Sequence, residues 1–250
     1  MTPTHAGRPA ALVTGASRGI GLGVALRLAA AGYDLTVSAR DAARLEKSAG
    51  ALAEGGGRVH PVPADMTVED DVRRLAAEHA QHHGRLDVLV MAAGVGSAGS
   101  LEQTTAKRYD MQFAVNVRAP FVLLQHSLPL LRETAAMHPE RGAKVIALSS
   151  ITGVAAEPDL AAYGAAKAAL ISLCRSVNTE ASAQGVCATA ICPGYVDTDM
   201  SAHVRERIDP ARMIRVEDVA ELALSVTRLS ACAVVPEIVV TRPGEQLWRA

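Results

Sequence analysis

The feature that most constrains what this chain can fold into lies near its start. An aliphatic run, Ala10–Thr14, passes without a linker into Thr14-Gly15-Ala16-Ser17-Arg18-Gly19-Ile20-Gly21 and on into a segment of helical period. There Ile20, Val24, Leu28 and Ala31 recur at three- and four-residue steps and so share one helical face. A strand that turns this tightly into an amphipathic helix is the opening unit of a parallel sheet. Short aliphatic runs at 35–39, 58–63, 88–91, 144–149, 186–192 and 237–241 read as further strands, and six of the seven precede a helical segment. The expectation is an α/β chain built on a doubly wound parallel sheet of about seven strands, with helices on both faces.

A length of 250 residues suits one such domain spanning 1–250, and no repeat, linker or charge block divides it. The exception to regular alternation is 194–214, which carries many charged and few large apolar residues. A patternless stretch of that length reads either as a lid over a binding site or as a surface excursion. Composition removes several function classes. Aromatic residues make up 3% of the chain, and 25 Lys and Arg face 26 Asp and Glu, so neither base-stacking platforms nor a basic footprint is available for nucleic acid. No run free of Asp, Glu, Lys and Arg reaches the roughly 18 apolar residues of a membrane span. Residues 1–9 lack the basic-then-apolar layout of a signal peptide. Cys174, Cys187, Cys192 and Cys232 show no metal spacing and sit among apolar or small residues, as buried free thiols do. Together these point to a reducing, cytoplasmic setting.

The glycine turn has a chemical reading as well as a structural one. Glycines permit positive φ and close approach of a pyrophosphate, while the helix N-terminus offers unpaired N–H groups and partial positive charge. A tight strand-to-helix turn needs glycine for geometry alone, so the turn by itself leaves both readings open. Further along, Tyr163 and Lys167 are four apart in an Ala-rich helical segment, which stacks phenol and ammonium on one face. A free tyrosine has a pKa of about 10, and lowering it by two units needs about 2.7 kcal/mol, within reach of a nearby cation in a partly desolvated site. Ser150 ends the fifth strand, at the edge where open parallel sheets bind ligands; its neighbour Ser149 should point to the opposite face of the pleat. Asn116-Val117-Arg118-Ala119-Pro120 lies in a helical stretch, and Pro120 removes the N–H that would bond the Asn116 carbonyl. Proline at a helix start is the ordinary alternative.

The turn has the spacing TGxxxGxG, and in this it resembles the short-chain dehydrogenase/reductase family. The resemblance continues through Met91-Ala92-Ala93-Gly94, Asn116, Ser150, Tyr163-Gly164-Ala165-Ala166-Lys167 and Pro193-Gly194-Tyr195-Val196-Asp197-Thr198, in the family's order over nearly the whole chain. It implies a Rossmann-type fold and an oxidoreductase that moves a hydride between nicotinamide C4 and a carbonyl or secondary alcohol. By that resemblance Tyr163 is the proton donor and Ser150 orients the substrate oxygen. Lys167 lowers the tyrosine pKa and binds ribose, and the Asn116 carbonyl anchors a water relay. The cofactor would contact Thr14, Gly15, Ser17, Arg18, Gly19, Ile20 and Gly21 in the turn, then Arg40, Asp65, Met66, Ala92, Ala93, Gly94, Tyr163, Lys167, Pro193, Gly194, Val196 and Thr198. Among these Asp65 would meet the adenine amino group and Thr198 the nicotinamide carboxamide; Asp65 as a turn or cap residue is the local alternative.

Arg18 and Arg40 bear on cofactor choice, because a 2′-phosphate favours arginine where a NAD site places a carboxylate. Ser38 and Ala39 leave the second strand's end without an acid, which favours NADP(H). Asp41 would serve NAD(H) if the strand ended a residue later, or else cap the next helix. Two departures from the family pattern stand out. Met91-Ala92 replaces a pair of asparagines, and Val234-Val235-Pro236-Glu237-Ile238 lacks the glycine-containing ending common in fatty-acid-synthesis ketoreductases. His79, His82 and His83 close a helix before Gly84, where positive charge suits the dipole; no metal is expected there. The leading expectation is an NADP(H)-dependent ketone reductase, with 3-oxoacyl substrates included. A NAD-dependent alcohol dehydrogenase and a catalytically silent dinucleotide-binding regulator are the alternatives. A nucleotide-sugar epimerase would need a further C-terminal substrate domain. Partners would be a small carbonyl or alcohol substrate and a second copy of the chain. By the resemblance the homodimer or homotetramer would pack the long helices around Asn116 and Tyr163 across a two-fold axis, with Ala161, Ala165, Ala168 and Ala169 either allowing close approach or simply packing on the sheet.

Overall fold

A computed structural model describes residues 7–244. The polar lead at 1–6, part of the stretch weighed against a signal peptide, lies outside the described residues. Seven strands, β1 (Ala10–Thr14), β2 (Asp34–Ser38), β3 (Val59–Pro61), β4 (Val88–Met91), β5 (Ala143–Leu148), β6 (Val186–Pro193) and β7 (Glu237–Val240), form one parallel sheet in the order β3-β2-β1-β4-β5-β6-β7. Connections run outward in both directions from β1, so a crevice opens at the C-terminal ends of β1 and β4. The helices are α1 (Gly19–Ala30), α2 (Ala42–Ala53), α3 (Glu69–His83), α4 (Ala106–Phe113), α5 (Ala119–Met137), α6 (Ala161–Ala181) and α7 (Val216–Thr227).

Both faces of the sheet are covered, which is why its strands read as continuous aliphatic runs and not as alternating ones. Alternate residues still part to opposite sides. Leu12, Leu89, Val145 and Ala147 pack with α3, α5 and α6, while Val13, Val90, Ile146 and Leu148 pack with α1, α2 and α7. The expected strands agree with the observed ones except at β3, which is shorter than 58–63. Pro61 and Pro63 have no N–H to give, so beyond the strand only Val62 and Ala64 donate to the β2 side, to Val37 and Ala39 carbonyls. Among the described residues no helix is long and apolar enough to cross a membrane. Cys174, Cys187 and Cys192 are buried free thiols, whereas Cys232 is exposed, a correction to the sequence reading; it lies in the turn region between α7 and β7 rather than in an element.

The histidines at the end of α3 also need correction. Gly84 closes the helix at φ +65, as expected, but the rings do not serve as charges for its dipole. His79 is buried: its Nε2–H donates to the Arg85 carbonyl at 3.0 Å, so Nδ1 accepts from the Thr36 hydroxyl at 2.9 Å. His83 Nε2 in turn donates to Thr36 Oγ1 at 3.1 Å. His82 lies edge-on to His83 and stacks on His60 of β3 with centroids 4.4 Å apart. Burial first, and then the neighbouring imidazoles, pull His79 down to about 3 and His83 down to about 4. His79 and His83 are therefore held as neutral rings, and each makes a hydrogen bond to Thr36 of β2.

Because both folded values lie below that of a free imidazole, the unfolded chain takes up protons that the folded chain refuses once pH drops below about 6.5. Unfolding free energy should fall as pH is lowered from there toward 4, with buried His79 contributing up to about 1.4 kcal/mol per pH unit. Denaturant titrations at several pH values test this. His83→Gln should flatten the slope, and an unchanged slope would remove the histidine network as its cause.

Candidate active site

The glycine turn is shaped first by packing. Gly15 has φ +68, and a Cβ there would lie 2.7 Å from the Ala93 nitrogen and 2.9 Å from the Ala92 carbonyl. A Cβ on Gly21 would fall 2.3 Å from the Gly15 carbonyl oxygen. Thr14 binds the same two segments together: its Oγ1 accepts from Ala92 N and Ala93 N, both at 3.1 Å, and donates to the Val90 carbonyl at 3.4 Å. Thr14 thus acts by joining β1 to the loop after β4. The missing asparagines at Met91-Ala92 remove side chains from this junction, yet its backbone amides stay satisfied.

The turn also fits a pyrophosphate. The N-terminus of α1 has no side-chain cap and no acid in its first turn, whereas α2 is capped by Asp41 and α4 by Thr105. Its orphan N–H groups remain open to an anionic ligand. Gly19, at φ +55, meets the Thr198 methyl across the crevice, 3.5 Å from where a Cβ would stand. Ser17 is half-buried, its carbonyl accepting from Ser48, and Ile20 packs partly into the core over β1. Arg18 is exposed and pairs at 3.0 Å with Asp199 of the 194–214 segment. Arg40 is exposed just beyond β2 and makes no ion pair among the described residues. Asp41 accepts from Arg44 N at 3.0 Å, so it is spent as the cap of α2. Asp65 Oδ1 accepts from the Thr67 amide and hydroxyl, both at 2.8 Å, which is the local turn role; Met66 packs partly into the core.

At the other end of the crevice the four residues implicated by chemistry converge. Ser150 follows β5, and its Oγ accepts from Thr152 N at 3.2 Å and Thr152 Oγ1 at 2.9 Å. With those lone pairs taken, its hydrogen is left to donate, and it stands near enough to the Tyr163 phenol to oppose part of the rise in that group's pKa. Ser149 points away as expected and donates to the Lys167 carbonyl at 2.9 Å. Lys167, one turn along α6 from Tyr163, is buried; its Nζ lies 5.6 Å from the Tyr163 ring centroid and donates to the Leu148 carbonyl at 2.7 Å. Burial pushes the phenol up to about 12, partly offset by Ser150, and the ammonium down to about 8. The expected lowering of Tyr163 by Lys167 is therefore not what this geometry gives. Burial is the largest influence on the phenol, and Lys167, whose ammonium bonds the Leu148 carbonyl, is not among the groups that shift it.

Asn116 sits in a π-helical turn, Ala114–Arg118, between α4 and α5, so the ladder is rewound where Pro120 was expected to break it. The side chain is fully buried; Oδ1 accepts from Val95 N at 3.2 Å and Nδ2 donates to the Val95 carbonyl at 2.8 Å. Gly94 leaves an open cradle here, since a Cβ would stand 3.0 Å from Asn116 Oδ1 and 3.4 Å from Lys167 Nζ. Pro193 ends β6 against Val240, and Gly194 N donates to the Val240 carbonyl at 2.9 Å. Val196 is buried and bridges Ile214, which pins the two ends of the 194–214 segment side by side. Within it Val204, Ile208 and Met213 form a small core of their own.

Several contacts were not legible in the sequence. Gly96 lies against the Tyr163 ring, 3.2 Å from where its Cβ would be, and the only signal was a glycine-rich run. Thr152, the partner that orients Ser150, could have been suspected from a hydroxyl two residues past a strand end. Tyr195 is joined to two segments at once: Arg207 donates to its phenol at 3.3 Å, and the phenol faces Glu157 at 3.5 Å.

Comparison with known proteins adds the lineage of this arrangement. The short chain dehydrogenase family model matches residues 9–209. The hydroxynaphthalene reductase-like protein Arp2 of Metarhizium anisopliae is 35% identical over 80% of this chain and 72% of its own length. The 3-oxoacyl-[acyl-carrier-protein] reductase MabA of Mycobacterium avium is 35% identical over 81% of this chain and 74% of its own. Among solved structures, the Pseudomonas aeruginosa RhlG/NADP active-site complex superposes with a TM-score of 0.84 at 32% identity, covering 96% of this chain and 97% of that one.

The packing role of the turn can be separated from its ligand role by stability alone. Gly15→Ala should cost about 2 kcal/mol or more, because it adds backbone overlap to a positive φ. Gly50→Ala, in α2 with nothing within 4 Å, should be neutral or stabilising. Equal stabilities for the two variants in denaturant unfolding would refute the close-approach account.

Proposed function

The chain belongs to the short-chain dehydrogenase/reductase family, and from that premise we propose that it is an NADP(H)-dependent carbonyl reductase acting on a ketone or the corresponding secondary alcohol. The observation that carries this reading is the convergence at the C-terminal edge of the sheet of Tyr163, a buried Lys167 whose ammonium lies 5.6 Å from the phenol ring, and a Ser150 oriented by Thr152. A bound nicotinamide dinucleotide supplies hydride exchange at C4. Ser150, with its acceptor sites filled by Thr152, donates a hydrogen bond to the substrate oxygen and fixes its position. Tyr163 donates the proton that the forming alkoxide requires, and takes it back when the alcohol is oxidised. Lys167 and the π turn at Asn116 then return a proton to the phenol, with the Asn116 side chain spent on Val95 and only its main chain left for that relay. A catalytically silent regulator would have no use for this convergence.

The choice of NADP(H) over NAD(H) rests on Arg40, which makes no ion pair among the described residues, and on Asp41, whose carboxylate is committed to capping α2. RhlG, a similar protein, is seen with NADP. Arg18 adds a second cation near that position once its pairing with Asp199 opens. For the substrate, the 194–214 segment acts as a lid and the 151–160 loop as a wall, joined through Tyr195 and Glu157. The MabA relationship keeps 3-oxoacyl thioesters among the ketones to be tried first. A homodimer or homotetramer in the cytoplasm completes the reading. Ala161, Ala165 and Ala168 are exposed on α6, and Phe121 of α5 is 53% exposed, which suits a helix-on-helix contact between copies.

Nicotinamide absorbance assays with a ketone panel test the chemistry. Tyr163→Phe should slow reduction by about 10²–10⁴-fold. Ser149→Ala should stay within a few-fold of wild type, and equal rates for wild type and Tyr163→Phe would end the mechanism. For the cofactor, Arg40→Ala should weaken NADP(H) binding by roughly tenfold, about 1.4 kcal/mol, and leave NAD(H) unaffected. Equal losses for both cofactors would count against a 2′-phosphate contact.

A further inference from the structure

The opposite edge of the sheet, at the N-terminal ends of β1, β4 and β5, holds a cavity of about 290 Å³ that the reductase reading does not use. Its walls come from Pro9 before β1, Tyr33 before β2, the Arg85–Val88 region, the turn from His138 to Lys144, and Thr227 at the end of α7. Three basic side chains line it, Arg85, Arg141 and Lys144, against one carboxylate, Asp87. That carboxylate is already consumed: Arg85 Nε donates to Oδ2 at 2.8 Å and its NH2 to Oδ1 at 2.6 Å, while Ala10 N donates to Oδ2 at 2.8 Å. Arg85 also donates to His138 Nε2 at 2.8 Å, so its guanidinium is committed too.

Lys144 and Arg141 remain. Lys144 is 2% exposed, yet its ammonium has a single protein partner, the Ser230 carbonyl at 2.9 Å. An ammonium has three hydrogens, so two take no partner among the described residues. Among the described residues no carboxylate pairs with it, and burial holds its pKa below the ordinary lysine value. Arg141, at the rim, makes no ion pair among the described residues. A buried cation without a counter-charge is costly, and an anion that enters the cavity removes that cost. The volume is roughly that of ten liquid waters at about 30 Å³ each, more than a free tetrahedral oxyanion needs and enough for a small organic tail.

We propose that this cavity binds an oxyanion of the phosphate class, free or as the terminal group of a small monoester, between the Lys144 ammonium and the Arg141 guanidinium. The two cations match a doubly charged ligand, and the arginine fork suits a pair of phosphate oxygens. The site faces away from the crevice at Gly15 and Tyr163, so it takes its ligand independently of the dinucleotide.

Calorimetric titration of the full-length protein with orthophosphate and with glycerol 3-phosphate, in about 0.15 M KCl to screen surface charge, tests it. At least one of the two should bind with Kd below about 1 mM and raise the thermal midpoint. Tighter binding by the ester assigns the site to a phosphorylated metabolite, and tighter binding by the free ion assigns it to inorganic phosphate. Lys144→Met and Arg141→Ala should each weaken binding by roughly tenfold or more, while Arg18→Ala and Arg40→Ala leave it unchanged. Arg141 is at the surface, so that variant remains informative if Lys144→Met fails to fold. Absence of saturable binding would overturn the proposal. So would binding that Arg18→Ala or Arg40→Ala abolishes and Arg141→Ala does not touch, because the anion would then sit at the glycine turn.

Discussion

The close approach of Gly15 to the backbone of Ala92 and Ala93 is the contact on which the rest of the site depends. It brings the C-terminal ends of β1 and β4 together at the one place in the sheet where the connections diverge, and the Thr14 hydroxyl bonds the two ends across that gap. From this junction the chain leaves in two directions. One leads into α1 with its uncapped N-terminus; the other leads through Gly94 to Asn116 and Lys167. The uncapped helix end and the Asn116–Lys167 end of the crevice are thereby built outward from a single backbone contact, and a side chain at Gly15 would displace both.

Desolvation is the second organising force, and the fold uses it in different ways. At Tyr163 it keeps a phenol protonated beside a serine whose acceptor sites are filled, and at Lys167 it softens an ammonium toward neutrality. At His79 and His83 it keeps imidazoles neutral so that they can serve as hydrogen-bond linkers between α3 and β2. The same burial that lowers a histidine raises a tyrosine, because in each case the charged form loses water.

Much of this was legible in the sequence because it rests on periodicity and backbone chemistry. The sheet, the tight first turn, the opposed directions of Ser149 and Ser150, and the helical disruption before Pro120 all follow from local rules about pleat, glycine and proline. Three kinds of feature were hidden. Whether Lys167 lowers or fails to lower Tyr163 depends on where a flexible side chain finds its hydrogen bond, here the Leu148 carbonyl. Whether terminal histidines carry charge depends on burial by β2 and β3, elements distant in the chain. The pairing of Arg18 with Asp199 joins residues 181 apart in sequence and leaves no trace in either local pattern.

The bridge between Val196 and Ile214 has a consequence for how such a protein changes over time. Because the two ends of the intervening segment are held side by side, its length is uncoupled from the positions of β6 and α7. Doubling a flexible loop between fixed ends adds only about 0.6 kcal/mol of closure entropy. The segment even carries its own small apolar cluster, so its interior can be rewritten as a unit. In evolutionary terms it is an exchangeable cassette: its sequence and length can drift through insertion, deletion or recombination, while the strand ends on either side stay under separate constraint.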